Sequence, residues 1–115
     1  MMPQTTLITK KCQACESGTP PLASDQIAAF LPQVPDWKVE STGGGNELTR
    51  TFKFKNYHES MAFVNATAWI SHCENHHPDI ELHYNSVKIH YATHSIGGLS
   101  ENDFICAAKI NALLE

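Results

Sequence analysis

The sequence has little clustered positive charge. Eight Lys and Arg stand against twelve Asp and Glu, a net charge of -4 with the histidines neutral, and no basic cluster is longer than Lys10-Lys11. A nucleic-acid surface carries a basic stripe, so direct contact with DNA or RNA is not expected. Long hydrophobic runs are missing too: none approaches the roughly 20 residues that span a bilayer. Residues 1–11 hold no sustained apolar segment of the kind found in a secretory signal. A cytoplasmic protein with neither a membrane nor a nucleic-acid partner is the expectation. No internal repeat of about 20 to 50 residues is evident, although a strand-strand-helix unit appears twice. Cysteine is scarce, with only Cys12, Cys15, Cys73 and Cys106. Cys12 and Cys15 form a lone CxxC, whereas a structural zinc site needs further paired ligands. Gly18, Pro20 and Pro21 follow closely, so the pair reads as two reduced thiols in a polar tail.

What remains is an ordinary globular composition in 115 residues, enough for one core and too little for two. Residues 1–23 read as an irregular lead-in and residues 24–115 as one domain. Ser24 can cap a short helix from Asp25 to about Leu31, closed by Pro32 and Pro35. Trp37 to Glu40 alternates as a half-buried strand does, and Gly43-Gly44-Gly45-Asn46 makes a turn. Leu48, Arg50, Phe52 and Phe54 then share one face of a second strand, which leaves Arg50 on the apolar side without an evident partner. Asn56 with Glu59 caps a helix from Tyr57 to about Asn75. Ile80, Leu82 and Tyr84, then Val87, Ile89 and Tyr91, form a hairpin about Asn85-Ser86, pairing Tyr84 with Val87 and Leu82 with Ile89. Ser100 with Asp103 opens a last helix to about Leu114. That helix is apolar nearly all round, the pattern of burial on two sides, so a subunit interface is expected on one of them. The order helix-strand-strand-helix-strand-strand-helix predicts an α+β two-layer domain, a four-stranded antiparallel sheet with three helices on one face.

The chemistry concentrates in Glu74-Asn75-His76-His77-Pro78-Asp79. Imidazole has an ordinary pKa of about 6.5, so it moves protons near neutral pH. Two or three imidazoles in one site can donate a proton at one point and accept one at another. Pro78 disfavours helical geometry at His77, so the pair falls where a helix ends, and the backbone can there aim two neighbours at one cavity. His94 is placed at the end of the last strand. Taken singly, these residues have plainer explanations. His76 and His77 suit a helix C-terminus by charge, and Asp103 is a common N3 capping carboxylate. A capping carboxylate beside a site can also orient an imidazole, so the two roles are compatible. His72 and His76 lie at i and i+4, a spacing that can bind zinc, but no HExxH is present. His58, His83 and His90 read as surface residues.

Together, His76-His77-Pro78, Thr93-His94, Gly97-Gly98-Leu99 and Asp103 resemble the pattern of the pterin-4a-carbinolamine dehydratases. Trp37, Phe52-x-Phe54 and the Phe63/Asn65 region fit the same family. The resemblance runs from about Leu22 to Leu113, and the CxxC looks like that of bacterial members. It implies a lyase that removes water from a 4a-hydroxytetrahydropterin, returning the pterin cofactor of aromatic amino acid hydroxylases as quinonoid dihydropterin. It implies assembly as a homodimer or homotetramer, and neither a metal nor a bound cofactor, since the pterin is the substrate. It makes His76, His77 and His94 the catalytic imidazoles and Asp103 the associated carboxylate. Pro78 and Thr93 are then binding or orienting neighbours. His77 is the candidate base, and His76 or His94 the acid or ring-positioning group. One position departs: many relatives carry a glutamate four residues before the first histidine of the pair, where this chain has His72. Family members with regulatory or coactivator roles supply the alternative, a protein-binding module on the same fold. The acidic charge would direct such a role to a protein partner.

Overall fold

The computed structural model describes residues 6–14 and 18–115. In chain order these contain α1 (Ser24–Phe30), β1 (Lys38–Thr42), β2 (Gly45–Lys53), α2 (Tyr57–Glu74), β3 (Asp79–His83), β4 (Ser86–Tyr91) and α3 (Glu101–Ala112). Short 3-10 turns lie at Leu7–Thr9, Leu31–Gln33 and His94–Ile96. The caps follow the local sequence. The Asn56 side chain accepts the Glu59 N–H at 2.9 Å, and the Glu59 carboxylate accepts the Lys55 N–H at 2.9 Å. The first satisfies a donor that α2 would leave orphaned, and the second ties the residue before the cap to the first turn. At α1 the cap is Ala23, not Ser24, and its N–H is taken by the Gln26 side chain at 2.9 Å.

The four strands form one antiparallel sheet in the order β1-β2-β4-β3. Its inner face carries Leu48, Phe52, Val87, Ile89 and Tyr91, all buried beneath the helices. Phe63 of α2 meets Phe52 and Phe54, with ring centroids 4.5 and 5.0 Å apart. The domain is thus the expected α+β arrangement of three helices and a four-stranded sheet.

The second hairpin differs in register from the sequence pattern. His83 pairs with Ser86, Leu82 with Val87 and Ile80 with Ile89, so the turn is Tyr84-Asn85 and not Asn85-Ser86. A slip of two positions keeps every side chain on its face, so alternation cannot separate the two registers. Tyr84 is left outside the ladder, 66% exposed.

Arg50 finds its partners at the far end of the chain. Its guanidinium donates to Asn111 Oδ1 at 2.6 Å and lies 4.3 Å from the centre of the Phe52 ring. Asn111 Oδ1 also accepts from Trp37 Nε1 at 2.7 Å, and Asn111 Nδ2 donates to the Pro35 carbonyl at 3.1 Å. One amide thus satisfies the polar ends of Arg50 and Trp37 together.

Helix α3 is buried on two sides, but the chain itself covers the second. Leu7 is 1% exposed, Lys109 Nζ donates to the Ile8 carbonyl at 2.9 Å, and the Gln13 N–H donates to Asn102 Oδ1 at 3.0 Å. Residues 6–14 therefore cover this second side of α3 within one chain. Cys15 lies outside the described residues.

Candidate active site

The end of α2 sets the two adjacent histidines in different surroundings. Asn75 takes the left-handed conformation with φ 53° and stops the helix. The His76 N–H then reaches back to the Ser71 carbonyl at 3.1 Å, a helix-closing bond. Pro78 prevents any continuation. His76 is half-buried, whereas His77 is exposed.

The buried partner of His76 is Asp103, on the first turn of α3. His76 Nε2 lies 2.6 Å from Asp103 Oδ1. The other oxygen, Oδ2, accepts the Ser100 N–H and the Thr93 hydroxyl, each at 2.9 Å. Thr93 Oγ1 and Ser100 Oγ are 2.7 Å apart. A hydroxyl has one proton to give; Thr93 spends its own on Asp103, so Ser100 donates to Thr93. Asp103 is fully buried, and three donors fix its orientation. It is a capping carboxylate and an imidazole partner at once.

This arrangement moves the His76 equilibrium. Burial favours the neutral ring, but the hydrogen bond and negative charge of Asp103 outweigh it and hold the pKa above the ordinary histidine value. With a carboxylate at Nε2 the proton there is retained, and Nδ1 becomes the nitrogen that can exchange one. The ring is further fixed by Tyr91, stacked parallel to it at 5.5 Å with a 9° interplanar angle. The Ser71 hydroxyl donates to the Thr67 carbonyl at 2.9 Å, so the Tyr91 hydroxyl donates to Ser71 Oγ at 3.1 Å.

His76, Asp103 and Thr93 are therefore joined by hydrogen bonds. His94 is not joined to them. It starts the 3-10 turn His94–Ile96 and does not end a strand, and it is exposed. It lines a small cavity of about 100 Å³ with Thr42, Asn46 and Glu47. That cavity is shaped by a close backbone approach: a Cβ on Gly45, at φ 117°, would stand 2.4 Å from the Gly97 carbonyl oxygen. Pro78 is half-buried behind the histidine pair. His72 is exposed, with its ring 5.4 Å from that of Trp69, and among the described residues no three His, Cys, Asp or Glu converge as a ligand set.

Several residues of the site are not evident in the sequence. Tyr91 looks like any inward strand residue, and Ser100 like any cap. Glu74, two positions before His76, is buried and accepts the Cys12 N–H at 2.9 Å. Burial raises its pKa, but the Cys12 N–H, Lys11 and Lys109 outweigh this and leave it below the ordinary glutamate value. Only its place beside the histidine pair marks it out.

Residues 20–113 match the family described as pterin 4 alpha carbinolamine dehydratase, so the chain belongs to that family. Among curated relatives, a protein of Nitrosospira multiformis is 51% identical, with 95% of this chain and 93% of that one covered. One of Xylella fastidiosa is 52% identical, with 96% and 93% covered. Both bear the name "Putative pterin-4-alpha-carbinolamine dehydratase". Among solved structures, the transcriptional coactivator/pterin dehydratase from Brucella melitensis superposes with a TM-score of 0.74 at 30% identity, covering 83% of this chain and 99% of that one. A pterin dehydratase-like protein identified as a RuBisCO assembly factor in the alpha-carboxysome shares the fold, with a TM-score of 0.58 at 24% identity over 70% of this chain and 92% of that one.

Proposed function

We propose that this chain removes water from a 4a-hydroxytetrahydropterin, with His76 as the imidazole on which the chemistry depends. The observation that carries the proposal is the 2.6 Å bond between His76 and the fully buried Asp103, in a chain of this family. Loss of water requires a proton on the departing hydroxyl at carbon 4a. It also requires removal of the proton from nitrogen 5, after which the double bond of the quinonoid dihydropterin forms. Asp103 keeps His76 in its protonated form at higher pH than a free imidazole, which suits the donor role through Nδ1. His77, exposed on the next residue, is the proposed base, and His94 the group that positions the ring. Thr93 and Pro78 act in support, the first by holding Asp103 and the second by fixing the helix end.

The test is the rate of dehydration of a synthetic 4a-hydroxytetrahydropterin, followed by ultraviolet absorbance, with and without a chelator. Each acid–base contribution is typically about 100- to 10,000-fold, so His76→Ala is expected to lose activity on that scale and the wild type to keep its rate in chelator. A folded wild type no faster than buffer would remove the enzyme from consideration. It would favour the second reading, a protein-binding regulatory module, which the coactivator designation of the Brucella melitensis structure supports.

A further inference from the structure

We propose that Cys12 and Cys106 form a reversible disulfide that locks residues 6–14 across the two helix ends holding His76 and Asp103. The segment already straps those ends together. Cys12 N–H and Lys11 Nζ reach Glu74, the last residue of α2, at 2.9 and 3.3 Å. At the other end Lys10 pairs with Glu101, and the Gln13 N–H donates to Asn102 Oδ1 at 3.0 Å. Glu101 and Asn102 directly precede Asp103 on α3. Between these anchors the sulfurs of Cys12 and Cys106 lie 3.7 Å apart. That is van der Waals contact between two thiols that come from opposite ends of the sequence and have no part in the dehydration.

Exposure sets the order of events. Cys106 is fully buried and Cys12 half-buried, so an external oxidant reaches Cys12 first. The oxidant class is a low-molecular-weight disulfide. The Cys12 thiolate attacks one of its sulfurs, forming a mixed disulfide and expelling one thiolate. The Cys106 thiolate then attacks the Cys12 sulfur, closing the Cys12–Cys106 bond and expelling the second. Two electrons pass to the small disulfide, which becomes two thiols, and the two protons lost by the cysteines end on them. The hydrogen bond to Cys106 and burial both push the Cys12 thiol pKa up. Thiolate is therefore scarce, and the latch answers prolonged oxidation more than a brief pulse.

The test uses the folded full chain carrying Cys73→Ser, because exposed Cys73 would cross-link molecules. Glutathione disulfide is the probe, followed by alkylation of remaining thiols, trypsin and mass spectrometry. Cys12 falls in fragment 12–38 and Cys106 in fragment 89–109. The expected product is those two fragments joined, two hydrogens lighter than the reduced pair, and restored by dithiothreitol. It should persist when Cys15→Ser is added. Fragment 12–38 closed on itself through Cys15, or glutathione left on Cys12 with Cys106 alkylated, would overturn the pairing. Hydrogen exchange tests the lock: amides of residues 7–13 should exchange about tenfold or more slowly once the bond forms. A bond that leaves their exchange unchanged would refute the lock. Neither readout depends on dehydratase turnover.

Discussion

His76 and His90 each sit against carboxylate, on opposite sides of one sheet, and the difference between them is in what holds the carboxylate. On the inner side, Asp103 is wholly buried and takes three hydrogen bonds. On the outer side, His90 lies between Glu47, at 3.0 Å from Nδ1, and Glu81, which contacts Nε2. His90 is half-buried and not the open surface residue that alternation suggests, but Glu81 has a side chain 53% exposed. Water screens that pair and competes for its hydrogen bonds, so its net energy is small. Imidazole and carboxylate therefore make a buried, oriented pair in one place and a surface clasp in the other. Burial and saturation of the acid separate the two, not the number of acids.

The sharpest way to break the comparison is to neutralise each acid without changing its shape. Asp103→Asn keeps the volume but removes the charge that holds the proton on His76, so dehydration should fall by about 100-fold or more. Glu81→Gln, which touches the outer face alone and not the cavity of His94, should leave the rate unchanged in the same absorbance assay. Equal losses on both faces would mean that the outer clasp belongs to the working site.

A smaller effect appears in stability. Asp103→Ala leaves the Ser100 N–H, the Thr93 hydroxyl and His76 without their acceptor in a buried place. Removing one partner of such a buried network costs about 3 kcal/mol. Glu81→Ala removes a half-exposed partner and should cost at most about 1 kcal/mol. Urea denaturation of the two variants measures both, and a difference near zero would show that the inner network contributes no more than the surface one.

Much of this contrast was legible in the sequence, but unevenly. Asn56, Pro78, Ser100 and, as a cap, Asp103 act within a few residues of themselves, so helix ends and the place of the histidine pair follow from local chemistry. The bond of Asp103 to His76 spans 27 positions, and the family resemblance, not local chemistry, points to their association. What was not legible depends on distance along the chain or on registers of equal parity. Arg50 is satisfied by Asn111, which lies 61 positions away. The β3–β4 slip preserves every face. His90 meets Glu47 only because β4 lies beside β2, and the cover over α3 comes from residues 6–14, which pattern reading assigns to an irregular lead-in.

The most delicate distinction lies between two neighbours at the end of α2, whose titrations act in opposite directions. His76 has a folded pKa above the ordinary value. The folded state therefore binds the proton more tightly than the unfolded chain. Its contribution is complete below the unfolded pKa of about 6.5 and is lost as pH rises through the higher folded value. Glu74 has a folded pKa below its ordinary one. Its contribution is complete above the unfolded pKa of about 4.3 and is lost as pH falls through the lower folded value. Stability measured against pH should then decline on both flanks. His76→Gln should flatten the flank above neutrality and leave the acid flank in place, while Glu74→Gln should flatten the acid flank alone. If His76→Gln left the alkaline slope untouched, Asp103 would be holding a neutral ring, and the protonated donor at Nδ1 would have no support. If both variants altered one flank together, the strap from Cys12 to Glu74 and the His76–Asp103 bond would be a single cooperative unit, and the inner site would extend to residues 6–14.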